Sequence, residues 1–85
     1  MAFTVHVSNR AQKSLKGIPV GDVRRIMAAL ASMGEDPLSG DVVRLKGTDA
    51  FRRRVGDYRI IFSIDYKQHA VGILDILRRT TTTYR

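Results

Sequence analysis

Residues 42–65 read VVRLKGTDAFRRRVGDYRIIFSID, and this stretch decides the fold. Gly56 and Asp57 separate two runs of alternating character. Such a pair suits a tight two-residue hairpin turn, with glycine supplying a positive φ. After the turn, Tyr58, Ile60, Phe62 and Ile64 recur with a period of two, which predicts a strand over 58–64 with one apolar face. Before it, Phe51–Val55 is the partner strand and 42–45 a shorter one. Side chains alternate along a strand, so Arg52 and Arg54 share one face. Arg59 faces away from Tyr58 and Ile60, and a tight hairpin brings the three guanidinium groups together. Arg53 falls on the face of Phe51 and Val55, where its stem can lie across the rim of the core.

Downstream, 65–68 is a second turn and 69–77 is apolar on both faces, as expected of a central strand. Residues 78–85, RRTTTTYR, form a polar tail with one aromatic residue. Upstream, 35–41 is a turn-rich connector. Ahead of it, Val23, Ile26, Met27, Leu30 and Met33 make one helical apolar stripe. Pro19 suits the first turn of that helix, and Asp22 favours the positive end of its dipole. Gly34 is placed as a C-terminal cap, with Pro37 forbidding continuation. A shorter helix spans about 10–16, capped by Ser8 or Asn9 and ended by Gly17; Ala11 and Leu15 face inward. Residues 3–7 alternate as a first strand. The order is β-α-α-β-β-β-β: an α+β domain with two N-terminal helices packed on one face of a mostly antiparallel sheet. Eighty-five residues make one domain, 1–85.

Fifteen Lys and Arg stand against eight Asp and Glu, a net charge of +7. Most of the excess is arginine, the better residue for bidentate phosphate contacts and for stacking on bases. Between Arg44 and Arg59 there are six basic residues and two acidic ones. Gathering like charges gains folding nothing, so the cluster points to an anion, and a polyanion such as RNA, DNA or an acidic protein fits. With no cysteine, disulfides, thiolate zinc sites and a cysteine nucleophile are excluded, in keeping with a reducing cytoplasm. His6 and His69 have no ligand-spaced companions and read as structural, so no metal site is expected. Asp57 reads as a turn residue, and Asp75 as a partner for an arginine. No apolar signal segment or membrane span is visible, and a cytoplasmic protein is expected.

At this point the residues resemble a family. The 42–65 stretch is similar to the central signature of the RelE/ParE toxin superfamily, PLSGDVVRLKG at 37–47 is similar to its connector, and RRTTTTYR to its degenerate end. The likeness covers nearly the whole chain, and RVGDYRIIF is its specific part. It implies a RelE-like toxin domain of a type II toxin–antitoxin system. RelE-type members are ribosome-dependent messenger-RNA endonucleases held inactive by an antitoxin; ParE-type members share the scaffold but inhibit DNA gyrase. Carried over by motif, the RelE-type catalytic set falls on Arg52, Arg54, Arg59, Arg78 and Tyr84. Arg44, Lys46, Arg53, Arg79 and Arg85 are the accompanying RNA-binding candidates. A filled set favours the nuclease over the gyrase inhibitor; a catalytically weak basic RNA-binding module is the other alternative. The partners implied are an acidic RelB-like antitoxin, in a heteromeric complex, together with the ribosome and mRNA. No cofactor is expected.

Two departures bear on the chemistry. Leu77 stands where many relatives carry a histidine, and arginines stand where RelE carries strand lysines. Arginine stays protonated and is a poor base, and Tyr84 would need its pKa lowered by nearby positive charge. Charge is plentiful in this reading, and an obvious general base is absent.

Overall fold

The computed structural model describes residues 2–78. Its elements are β1 (Thr4–Val7), α1 (Asn9–Lys16), α2 (Val20–Glu35), β2 (Asp41–Arg44), β3 (Phe51–Val55), β4 (Tyr58–Asp65) and β5 (Ala70–Arg78). They form a five-stranded sheet in the order β1-β5-β4-β3-β2. β1 runs parallel to β5 and every other pairing is antiparallel. The predicted α+β order is therefore present.

The core lies between the helices and one face of the sheet. Ala11 of α1 and Ile26, Ala29, Leu30 and Met33 of α2 meet Tyr58, Ile60 and Phe62 of β4 and Val71, Ile73 and Ile76 of β5. Burying one large apolar side chain contributes about 1.5–3 kcal/mol. In a chain this small those residues carry much of the stability. Ser8 caps α1, its Oγ accepting from the Ala11 N–H at 3.1 Å. The same Oγ donates to the Leu74 carbonyl at 2.9 Å, so the cap also ties the helix to β5.

Three expectations change. Gly34 does not end α2, which runs on to Glu35 with Asp36 as its C-cap. A Cβ at Gly34 would stand 3.4 Å from the Phe3 carbonyl oxygen, and the Phe3 N–H donates to the Gly34 carbonyl at 2.6 Å. The glycine lets the helix approach β1. Met27 is 49% exposed rather than in the core; the helix is turned so that Ala29 completes the buried stripe. Finally, β5 is the interior strand expected, between β1 and β4, but helices cover only one of its apolar faces. A bulge at Leu74 breaks its alternation, since Phe62 pairs with Ile73 and Ile61 with Asp75. Ile73 and Ile76 both enter the core, while Leu74 and Leu77 stay exposed. Among the described residues, no helix is long and apolar enough to cross a membrane.

Candidate active site

The local sequence around Gly56 builds the site. Gly56 has φ +56°, and the turn sets Val55 opposite Tyr58 and Arg54 opposite Arg59. Directly opposed residues of an antiparallel pair have Cα atoms about 4.5–5.5 Å apart. Tyr58, Ile60 and Phe62 are fixed in the core, so Arg59 and Ile61 must face the side the helices leave open. Arg54 and Arg52 pair with Arg59 and Ile61 and share that open face. The expected trio of Arg52, Arg54 and Arg59 is thus brought together.

A fourth residue joins them that the sequence reading left in the connector. Asp41 opens β2 and pairs with Arg54. Its carboxylate lies 3.4 Å from Arg52 Nη1 and 4.0 Å from Arg54 Nε. Like charges set directly opposite destabilise a sheet, and Asp41 offsets part of that repulsion. Asp41, Arg54, Arg59 and Leu77 form one row across four strands. Arg52 keeps only 17% of its side chain exposed, whereas Arg54 keeps 40%. Arg54 is therefore the member of this pair more open to an incoming anion.

Arg53 lies on the other face. Its Nη1 donates to the Ala29 carbonyl at 3.3 Å and to Ser39 Oγ at 3.4 Å. The guanidinium packs over Gly40, where a Cβ would meet it at 2.9 Å. This arginine ties β3 to α2 and the connector through Nη1, and its side chain lies inside the fold and not on the open face that an RNA-binding candidate would need.

Arg78 is also separated from the trio. It pairs with Tyr58 and lines a cleft of about 260 Å³ with Ser14, Gly17, Ile18, Pro19, Tyr58 and Ile76. The bulge explains this placement. Unbroken alternation from Ile73 would send Arg78 to the open face; the extra residue reverses the phase. Arg44 lies opposite Phe51, three residues along β2 from Asp41. At about 3.4 Å per residue that is roughly 10 Å from the row, and the odd spacing turns it to the helix-side face. It is held by the Thr48 carbonyl at 3.2 Å and by Asp49 at 3.3 Å. Lys46 is exposed in the same loop. Tyr84, Arg79 and Arg85 lie outside the described residues.

Two neighbours complete the hairpin end. Arg25 of α2 reaches over the turn, where a Cβ on Gly56 would meet its Nη2 at 2.7 Å. Nothing in the spacing of α2 marks it, because it lies outside the apolar stripe. The Tyr58 hydroxyl donates to Asp22 Oδ2 at 3.3 Å. Burial first, then the Asp22 charge and this hydrogen bond, push its pKa above the ordinary value, with Arg78 opposing. Tyr58 is held protonated and reads as structural. Asp75 pairs with Arg10 at 3.6 Å, as an arginine partner, and His69 stacks on Phe3 at a centroid distance of 5.2 Å.

With that geometry in view, the chain matches, over residues 5–82, the family model described as ParE toxin of type II toxin–antitoxin system. The RelE1 protein of Methanocaldococcus jannaschii is 28% identical over 83 residues, covering 93% of this chain and 92% of the relative. The RelE–RelB complex from Pyrococcus horikoshii OT3 contains a chain that superposes with a TM-score of 0.86. That chain is 30% identical, and the match covers 96% of this protein and all of it. The RelBE2 toxin–antitoxin complex of Mycobacterium tuberculosis gives a TM-score of 0.80 at 26% identity, covering 93% of this chain and 100% of its counterpart. The chain belongs to the RelE/ParE superfamily of type II toxin–antitoxin toxins.

Proposed function

We propose that this toxin is a ribosome-dependent mRNA endonuclease and that an acidic, RelB-like antitoxin holds it inactive. One observation carries the reading: Arg54 and Arg59 stand directly opposed on the face without helices, with Arg52 beside them. Two guanidinium groups at that spacing suit the oxygens of a single phosphate. The RelE-like structures from P. horikoshii and M. tuberculosis are both complexes with an antitoxin, which supports the same kind of partner here. A partner carrying carboxylates would neutralise and cover the basic row.

RNA carries its own nucleophile. The 2′-OH attacks the adjacent phosphorus, the bond to the 5′-oxygen breaks, and a 2′,3′-cyclic phosphate and a 5′-hydroxyl result. The protein must align the chain and stabilise the charge growing on the phosphate oxygens. Alignment in a near-attack geometry can supply roughly 7–11 kcal/mol. Arg54 and Arg59 hold the scissile phosphate and stabilise its transition-state charge. Arg52 supports them from β3, beside Arg54. Arg78 approaches from the helix side of the sheet end and serves a flanking phosphate. Tyr84 stacks on a base.

The test uses purified toxin in a translation extract, with message cleavage mapped on ribosomes. Wild type cuts the message inside the ribosome; Arg59→Ala does not. Intact message in the presence of wild type overturns the reading. Because the matching family model carries the ParE description, a gyrase supercoiling assay runs in parallel. Blocked supercoiling with intact message assigns the row to gyrase inhibition instead.

A further inference from the structure

The nuclease reading lacks a proton acceptor, and the structure offers one. Arginine cannot serve at neutral pH. Tyr58 is buried and bonded to Asp22. His6 and His69 are on or beside β1, at the opposite edge of the sheet from β2. Of the other carboxylates, Asp22 is engaged with Tyr58 and Arg25. Asp75 is engaged with Ser14 and Arg10, and Asp49 with Arg44 in the β2–β3 loop. Among the described ion pairs, Asp41 is the carboxylate that reaches Arg52 and Arg54.

We propose that Asp41 is the general base that takes the 2′-OH proton; this rests on the endonuclease reading above. The row order supports it. Adjacent strands lie about 4.8 Å apart, so Asp41 and Arg59 flank Arg54 at nearly equal distances on one face. A phosphate seated between Arg54 and Arg59 has the carboxylate on its β2 side. In an in-line displacement, nucleophile and leaving group stand on opposite sides of phosphorus. Entry of the 2′-oxygen from the β2 side puts its proton toward Asp41. The leaving 5′-oxygen then departs toward β5, where the row ends in Leu77.

The step balances. The 2′-O–H bond breaks, its proton passes to a carboxylate oxygen of Asp41, and the 2′-oxygen bonds to phosphorus. The bond from phosphorus to the 5′-oxygen breaks, and that oxygen takes a proton from solvent water. Asp41 returns its proton to solvent. Arg52 and Arg54 have a double part in this. Before substrate arrives they hold the carboxylate in ion pairs, at 3.4 Å from Arg52 and 4.0 Å from Arg54. Phosphate oxygens compete for the same donors, so binding loosens these ion pairs and leaves the carboxylate oxygens open to the 2′-OH.

The experiment separates chemistry from binding. Asp41→Asn keeps the shape of an exposed side chain and removes the base. Single-turnover cleavage on ribosomes is expected to fall about 100-fold or more, within the range for loss of a general base. Binding of a 2′-O-methyl RNA, which cannot be cut, is expected to hold or to tighten by about three- to fivefold. That is the effect of removing one negative charge some 4–6 Å from a phosphate in a water-like dielectric. Asp49→Asn loses the same charge from the loop and controls for net charge, with cleavage expected to stay within about twofold. Unchanged cleavage in Asp41→Asn overturns the proposal. So does a parallel loss of cleavage and affinity, which marks Asp41 as a prop for the arginines. If wild type itself leaves message intact, the endonuclease reading falls first and the base assignment with it. If wild type cuts and Asp41→Asn cuts as well, only the base assignment falls.

Discussion

Arg53 and Arg54 are neighbours on one strand and do opposite things. Arg53 points under the helices and donates to Ala29 and Ser39. Arg54 points to the face without helices, beside Arg59 and Asp41. The residue type is the same and the exposure is not. A guanidinium that donates to backbone and hydroxyl oxygens inside the fold holds elements together. One that meets a like charge across the strand pair costs the fold something and is available to an anion. The strand period of two sorts them.

The comparison can be broken by removing each arginine in turn. Arg54→Ala is expected to lower cleavage about 100-fold, as for loss of one preorganised donor at a developing anion. Thermal unfolding should shift little, because its partner Asp41 is half exposed and such pairs contribute about 0–1 kcal/mol. Arg53→Ala should do the reverse. Losing two hydrogen bonds from a charged donor and the packing of its stem costs about 2 kcal/mol. In a domain of this size that is roughly 8–16 °C in Tm. Cleavage per folded molecule should stay within about threefold. The two measurements are calorimetry and single-turnover cleavage below the lower Tm. If Arg53→Ala loses cleavage while keeping its Tm, the division between the faces is wrong.

The same comparison shows which parts of the site could be read in advance. The Gly56-Asp57 turn, the alternation of β4 and the setting apart of Arg53 are local. They follow from neighbours in sequence, and all are present. Ladder register is non-local. Nothing near Asp41 announces that β2 would dock with it opposite Arg54, so the carboxylate stayed in the connector. Arg25 was missed for a related reason, since it reaches the turn from another element. Arg78 shows a third kind of failure. One bulged residue, Leu74, reverses the phase of the rest of β5. Ser8, which donates to the Leu74 carbonyl, belongs to the far end of the chain. Glycine often ends helices, and by that rule Gly34 reads as a helix end; its use is close approach to Phe3.

Tyr58 sharpens the comparison on the covered face. Its raised pKa means the folded state favours the protonated phenol. The stabilisation is present in full below the unfolded value near 10 and is lost as pH rises through the higher folded value. Wild type should therefore lose Tm with increasing pH above about 10. Tyr58→Phe should show a shallower alkaline decline. At neutral pH it should be modestly less stable, from the lost bond to Asp22. Melting curves across the alkaline range for both proteins decide this. Equal slopes would mean the Tyr58 hydroxyl is not buried as described.

The smallest effect is expected from Arg44, which tests whether distance along a strand matters as much as face. Arg44 is basic and exposed, and it lies on the same short strand as Asp41. Net charge alone would make it as useful to RNA as Arg54. Position says otherwise: it is three residues from the row, on the other face, with donors committed to Thr48 and Asp49. Arg44→Ala should leave cleavage of ribosome-bound message within about twofold. Binding to free RNA should weaken modestly and mainly at low salt, as for a peripheral charge beyond about one Debye length. A loss comparable to that of Arg54→Ala would mean the RNA path runs along β2 toward the loop, rather than across the strands through Arg54 and Arg59.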